Sequence, residues 1–180
     1  GKMPARNQQS RDWFRNKAKT TGVSDTKLMR EATRDRLRTR VAMGNMYLFQ
    51  YDAKHKKTLP YFDRFPLIFP FAKAPGGFLG MNLHYLPYRQ RAILMDALYE
   101  TANNDRYDES TKLRLSYDVL NGASRFKWFL PTVHHYLTPH VRSRFLYIAP
   151  SEWDIALFLN VQNFGGANRR TVWSDSRKMV

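Results

Sequence analysis

The sequence predicts an α+β fold: a small antiparallel sheet or SH3-like barrel, several helices, and basic arms at both ends. Three observations predict it. Between residues 46 and 84, aromatic-rich runs alternate with Pro and Gly, the pattern of strands joined by tight turns. From Pro87 onward apolar residues recur at helical spacing. Positive charge gathers outside these segments: residues 1–43 carry 12 Lys and Arg against four acids, residues 44–164 carry 14 against 10, and residues 165–180 carry four against one. The chain therefore divides into a basic helical arm (1–43), an α+β body (44–164) and a basic C-terminal tail (165–180).

The first ten residues are polar, with no feature to order them outside a complex. Asp12–Lys19 suits a short helix whose Trp13 and Phe14 are hydrophobic anchors, set either into a partner's groove or onto the protein's own body. Gly22 interrupts it, and Ser24 or Asp25 can cap an arginine-rich helix running to Met43. Leu28, Ala32, Leu37 and Val41 leave that helix only a thin apolar stripe. Arg30, Arg34, Arg36, Arg38 and Arg40 cover much of the rest.

After Gly44 the pattern becomes extended. Met46–Tyr51 reads as a strand, Asp52–Thr58 as a basic loop, and Leu59–Pro66 as irregular, because Pro60 and Pro66 remove backbone donors. Leu67–Phe71 reads as a strand in which Pro70 marks an edge or a bulge. Pro75-Gly76-Gly77 is a turn, and Phe78–His84 the returning strand. Pro87 opens a helix over Tyr88–Thr101, with Ile93, Leu94, Ala97 and Leu98 on one face. Asp108 or Ser110 starts a second helix carrying Leu113, Leu115, Tyr117 and Leu120, stopped by Asn121-Gly122. Phe126–Leu130 ends at Pro131, and Val133–Leu137 is a short helix before Pro139. Phe145–Ala149 is a strand, and Ser151 caps a helix start. Ile155–Leu159 is that helix's buried face or another strand, and Gly165-Gly166 opens the tail with Arg169 and Arg170.

A net charge of +15 favours nucleic acid, an anionic membrane surface or an acidic protein. With 43% hydrophobic residues the chain is too apolar to be disordered over most of its length. No cysteine is present, which excludes disulfides, iron–sulfur clusters and thiol catalysis, and suits a cytosolic or virion protein. No apolar run approaches a membrane span and no secretory signal is visible. The expectation is no membrane partner and no cofactor.

The arm's arginines, with Arg169 and Arg170, can neutralise phosphates or the acidic surfaces of neighbouring subunits, and Trp13, Phe14, Tyr47 and Tyr51 can stack on bases. No helix-turn-helix, zinc-finger or RNA-binding signature is present, so sequence-specific readout is not expected. His134-His135 and His140 lack a carboxylate at ligand spacing and read as structural. His55 reads as solvated, and His84 as a hydrogen-bonded core or edge group. Two acid clusters, Asp105/Asp108/Glu109 and Glu152/Asp154, can in principle hold a divalent metal for a nuclease. Both lie at helix starts, where acids stabilise the N-terminus. Gly76-Gly77-x-x-Gly80 has the wrong spacing for a dinucleotide fingerprint, and no P-loop or serine-nucleophile motif occurs.

Tyr47-Leu-Phe-Gln-Tyr-Asp-Ala-Lys54, Leu59-Pro-Tyr-Phe-Asp-Arg-Phe-Pro-Leu-Ile-Phe-Pro70 and Gly77-Phe-Leu-Gly-Met-Asn-Leu-His-Tyr-Leu-Pro87 resemble a conserved protein of T-even-like contractile-tailed bacteriophages. The similarity continues through Tyr107–Tyr117 and Glu152–Leu159. The resemblance implies a virion setting, with assembly in the host cytoplasm, and carries over no catalytic residue. The leading expectation is a non-enzymatic structural protein of the neck, tail or baseplate hub, present in multiple copies and contacting other virion proteins or double-stranded DNA. The alternatives are a DNA-binding protein that protects genome ends during packaging, and a metal-dependent nuclease.

Overall fold

A computed structural model describes residues 36–102, 104, 106–127, 129–153 and 164–178. The described residues form an α+β fold built on a six-stranded antiparallel sheet. The strands are β1 (Leu37–Arg38), β2 (Met46–Leu48), β4 (Leu67–Ala74), β5 (Gly77–Asn82), β6 (Val133–Leu137) and β7 (Phe145–Ile148), in the order β1-β7-β2-β4-β5-β6. A separate two-stranded ladder joins β3 (Phe62–Asp63) to β8 (Phe164–Gly165). Three helices are described: α1 (Tyr88–Ala102), α2 (Glu109–Ala123) and α3 (Arg169–Lys178).

Period-two alternation sends neighbouring side chains to opposite faces of the sheet. Met46, Leu48, Leu67, Phe69, Met81, Leu146 and Ile148 face one way and bury against Leu94, Met95 and Leu98 of α1, Leu120 of α2, and Trp153. Tyr47, Phe49, Ile68, Phe78, Tyr136 and Phe145 face the other way and form a second cluster dominated by aromatics. The sheet curls around this second cluster. The rings of Phe78 on β5 and Phe145 on β7 stand 6.2 Å apart, although three strand spacings of about 4.8 Å would separate them in a flat sheet. Past β2, the Tyr51 hydroxyl accepts the Leu137 N–H at 2.8 Å, and Asp52 N–H donates to the His140 carbonyl at 3.0 Å. The curl stops short of a barrel, because the edge strands β1 and β6 do not pair. Of the two expected β architectures, the open antiparallel sheet is the one formed.

The Pro-Gly-Gly turn forms where expected. Ala74 pairs with Gly77, which leaves Pro75 and Gly76 at the tip, and Gly76 has φ +76, the residue pattern of a type II turn. Gly77 is needed for another reason: a Cβ there would collide with the Tyr136 carbonyl oxygen on β6. Pro70 marks a bulge and not an edge. The register shifts between Pro70 and Ala72, while β4 lies between β2 and β5.

Three local expectations change. Val133–Leu137 is a strand, not a helix, because it pairs along β5 from Met81↔Val133 to Gly77↔Leu137 and so buries Tyr136. Leu37–Arg38, expected within the arginine-rich helix, pairs with Leu146 and Phe145 of β7. Gly122 lies inside α2 and not beyond its end, and the helix continues to Ala123. Asp108 caps α2 as expected, its carboxylate accepting the Thr111 N–H at 2.8 Å. In α1 the buried face runs through Arg91, Leu94, Met95 and Leu98, so an arginine takes a core position while Ile93 is 57% exposed.

Candidate nucleic-acid interface

Cationic side chains collect along the β1–β7 edge. Arg38 pairs in register with Phe145, one residue after Arg144, and its guanidinium lies 5.1 Å from the centre of the Tyr147 ring. Arg38, Arg40, Arg142 and Arg144 are exposed. Arg142 is anchored through its backbone N–H to the Gln50 carbonyl at 2.8 Å, and its side chain donates to the Pro139 carbonyl at 2.6 Å. The edge leads to the loop bearing Lys54, His55, Lys56 and Lys57, all exposed. Asp52 sits between, 2.8 Å from Lys56 and 3.6 Å from Arg142. Its hydrogen bond from Lys56 holds its carboxyl below the ordinary value.

Arg36 differs from its neighbours. Its Nη1 donates to both carboxylate oxygens of Glu152, at 3.1 and 2.8 Å, and the Glu152 side chain is 4% exposed. Arg36 therefore ties the approach to β1 onto the turn after β7. Next to that turn, Trp153 donates its indole N–H to the Ile148 carbonyl at 3.0 Å and packs edge-on against Phe69. Arg30 and Arg34, with the anchors Trp13 and Phe14, lie outside the described residues.

Arg169 and Arg170 are exposed in the first turn of α3. Asn168 caps that helix through the Thr171 N–H at 2.9 Å. The segment expected as a basic tail is a helix docked on the body. Val172 is fully buried, and Trp173 donates its indole N–H to the His84 carbonyl at 2.7 Å. Arg169 reaches the Tyr88 hydroxyl at 3.1 Å and stacks over Trp173, which Arg91 approaches as well. Arg91 donates through Nε to the Leu86 carbonyl at 2.7 Å, and burial brings its guanidinium down to about 10. The reading of this segment as a tail missed Trp173; the spacing of Val172, Trp173 and Ser176 is the helical signal that could have found it.

Beside the basic loop opens a cleft of about 710 Å³. Its walls come from the irregular Leu59–Asp63 segment, Tyr85 and β6, with Lys54 and His55 at the margin. The rings of Tyr61 and Tyr85 stand 6.1 Å apart, and His134 lies 4.3 Å from Tyr85. Asp63 is part of the wall but is saturated. It accepts from the Phe65 N–H at 2.9 Å, the Asn82 side chain at 2.9 Å and His84 Nδ1 at 2.7 Å. Burial alone would raise its carboxyl, and these donors more than offset that and hold it below the ordinary value. Burial pushes His84 down against the pull of Asp63, so the pair rests as carboxylate and neutral imidazole. Burial takes His134 down to about 4. Among the described residues the Nε2 atoms of both histidines have no hydrogen-bond partner.

The remaining candidates serve structure. His135 donates Nε2–H to the Pro75 carbonyl at 2.8 Å, and His140 donates Nδ1–H to the Asp52 carbonyl at 2.9 Å. His84, expected as a core or edge group, is fully buried. Asp108 caps α2, and Glu109 lies 3.4 Å from Lys112. Asp105 and Asp154 fall outside the described residues. Among the described residues no group of three or more His, Asp or Glu is placed to hold a metal, and no helix is long and apolar enough to cross a membrane.

A cation-lined sheet edge running to an aromatic cleft defines a basic α+β protein with a surface suited to a polyanionic strand. Over residues 1–177 the chain matches the model of the phage T4 terminal DNA protecting protein family, and it belongs to that family. No curated protein and no solved structure matches it. Among the expected roles, the family description agrees with the DNA-end protector. It says nothing of a place in the neck, tail or baseplate.

Proposed function

We propose that the protein binds the ends of linear double-stranded DNA and shields them without catalysis, in the virion and, during assembly, in the host cytoplasm. The observation that carries this reading is family membership over residues 1–177. A net charge of +15 supports it, as do the exposed Arg38, Arg40, Arg142 and Arg144 along one edge, since each neutralised phosphate releases counterions and adds to affinity. An end binder has no need of base-edge readout, which agrees with the absence of a sequence-reading motif. The test is digestion of a linear duplex by a processive exonuclease with and without the protein, alongside binding to a covalently closed circle of the same sequence. The expected result is slowed digestion and preference for the linear form. Equal affinity for both forms with no protection overturns the reading.

A further inference from the structure

We propose that the aromatic cleft between the Leu59–Asp63 segment and β6 receives the unstacked terminal nucleotide of a duplex end. The proposal rests on the DNA-end reading and deepens it by naming the part of the DNA that is recognised.

A duplex end differs from the interior in that its last base has one stacking neighbour instead of two. Withdrawing that base costs less than extruding one from the middle. The cleft offers what such a base needs on leaving the stack. Its volume of about 710 Å³ falls in the range of sites that enclose small organic ligands. Its walls present the rings of Tyr61 and Tyr85, and stacking on aromatic faces is indifferent to base identity.

The polar groups point to the same occupant. The His134 ring lies tilted 4.3 Å from Tyr85 and hydrogen-bonds to the Pro131 backbone, and among the described residues its Nε2 has no partner. In the neutral ring this atom is an acceptor, and a shift of the ring that opens it to the cleft would offer it to an amino or imino N–H on a base edge. Lys54 and His55 at the margin lie where the attached phosphate would emerge. Asp63 keeps its negative charge, but its carboxylate is buried and engaged by three donors, so it is not presented to the cleft as a free acid. A concave site of this kind admits a base at an end and excludes the flush-stacked bases of the interior, so it supplies the end preference that a basic edge alone cannot.

A free nucleotide carries the same chemistry, so the test separates the two sources. The full chain is mixed with short duplexes carrying 5-iododeoxyuridine at the last position or at the centre, irradiated, and mapped by peptide mass spectrometry. The terminal label is expected to crosslink to Tyr61, Tyr85 or His134, and the central label to none of them. Tyr61→Ala is expected to weaken binding to linear duplex roughly tenfold while Tyr61→Phe retains it. Binding to closed circles should be unchanged by either substitution. If end preference persists but the terminal label crosslinks only outside the cleft, the cleft assignment falls and the end-binding reading stands. If no preference for ends is found, both fall. Thymidine monophosphate displacing the terminal crosslink as effectively as unlabelled duplex would make this a free-nucleotide site and overturn the proposal.

Discussion

Trp173 donates its indole N–H to the His84 carbonyl across 2.7 Å, joining the last described helix to the turn after β5. The same ring packs edge-on against Tyr88 and lies near both Arg91 and Arg169. Trp173→Phe keeps most of the packing and loses the donor, an expected loss of about 1 kcal/mol. Trp173→Ala also opens a void and should cost about 3 kcal/mol. Urea unfolding of the two variants checks this, and a Trp173→Phe variant as stable as the parent would show that the hydrogen bond contributes nothing.

Arg36 and Glu152 form a pair whose acid is almost fully buried. Arg36→Ala strands that carboxylate, with an expected loss of about 2 kcal/mol. Adding Glu152→Leu removes the stranded charge and should recover much of the loss. The check is a double-mutant cycle by chemical denaturation, in which strict additivity would refute the coupling.

Arg38, Arg40, Arg142 and Arg144 should behave in the opposite way, because they are exposed. Changing any of them to Gln is expected to leave the melting temperature within a degree or two and to weaken DNA binding. The slope of log affinity against log salt should fall by about one for each phosphate that is no longer neutralised. Salt titrations by fluorescence anisotropy read this directly, and an unchanged slope in all four variants would remove the edge from the interface.

The fold holds His134 neutral down to about 4, whereas in the unfolded chain it titrates near its ordinary 6.5. Between these values the unfolded state takes up the proton and gains on the folded one. Stability is therefore expected to fall as pH drops from about 6.5 to about 4, by on the order of 2 kcal/mol. Burial acts on His84 in the same direction. His134→Phe keeps a ring against Tyr85 and should flatten the slope in thermal melts from pH 7 to 5. A slope as steep as that of the parent would assign the effect elsewhere.

Some of this architecture was written locally. The hairpin at Pro75-Gly76 and the cap at Asp108 depend on neighbouring residues, so they could be read along the chain. Val133–Leu137 could not, because its strand state depends on β5, some fifty residues earlier in the chain. Leu37–Arg38 was hidden similarly, since its partner β7 lies more than a hundred residues away. The buried Arg91 broke the expected apolar face of α1 because carbonyls of the preceding turn receive its guanidinium. The charge partition located the basic ends but could not show which arginines would be paired internally. The cleft left the faintest trace, because Tyr61, Tyr85 and His134 come to it from three separate segments of the chain.

The strand order has a consequence for biosynthesis. The central β2 has β4 on one side and β7 on the other, so one edge of it stays open until Phe145–Ile148 has been made. The chain through Ile148 must leave the ribosome before the sheet can be completed, and such long-range pairing is slow to form. The cleft wall on β6 is made shortly before β7, and the Trp173 clasp follows after it. A nascent chain would thus expose its cationic N-terminal region, carrying Arg30 and Arg34, well before it owned a finished pocket. Competence to recognise an end should arrive only once the chain through α3 has folded.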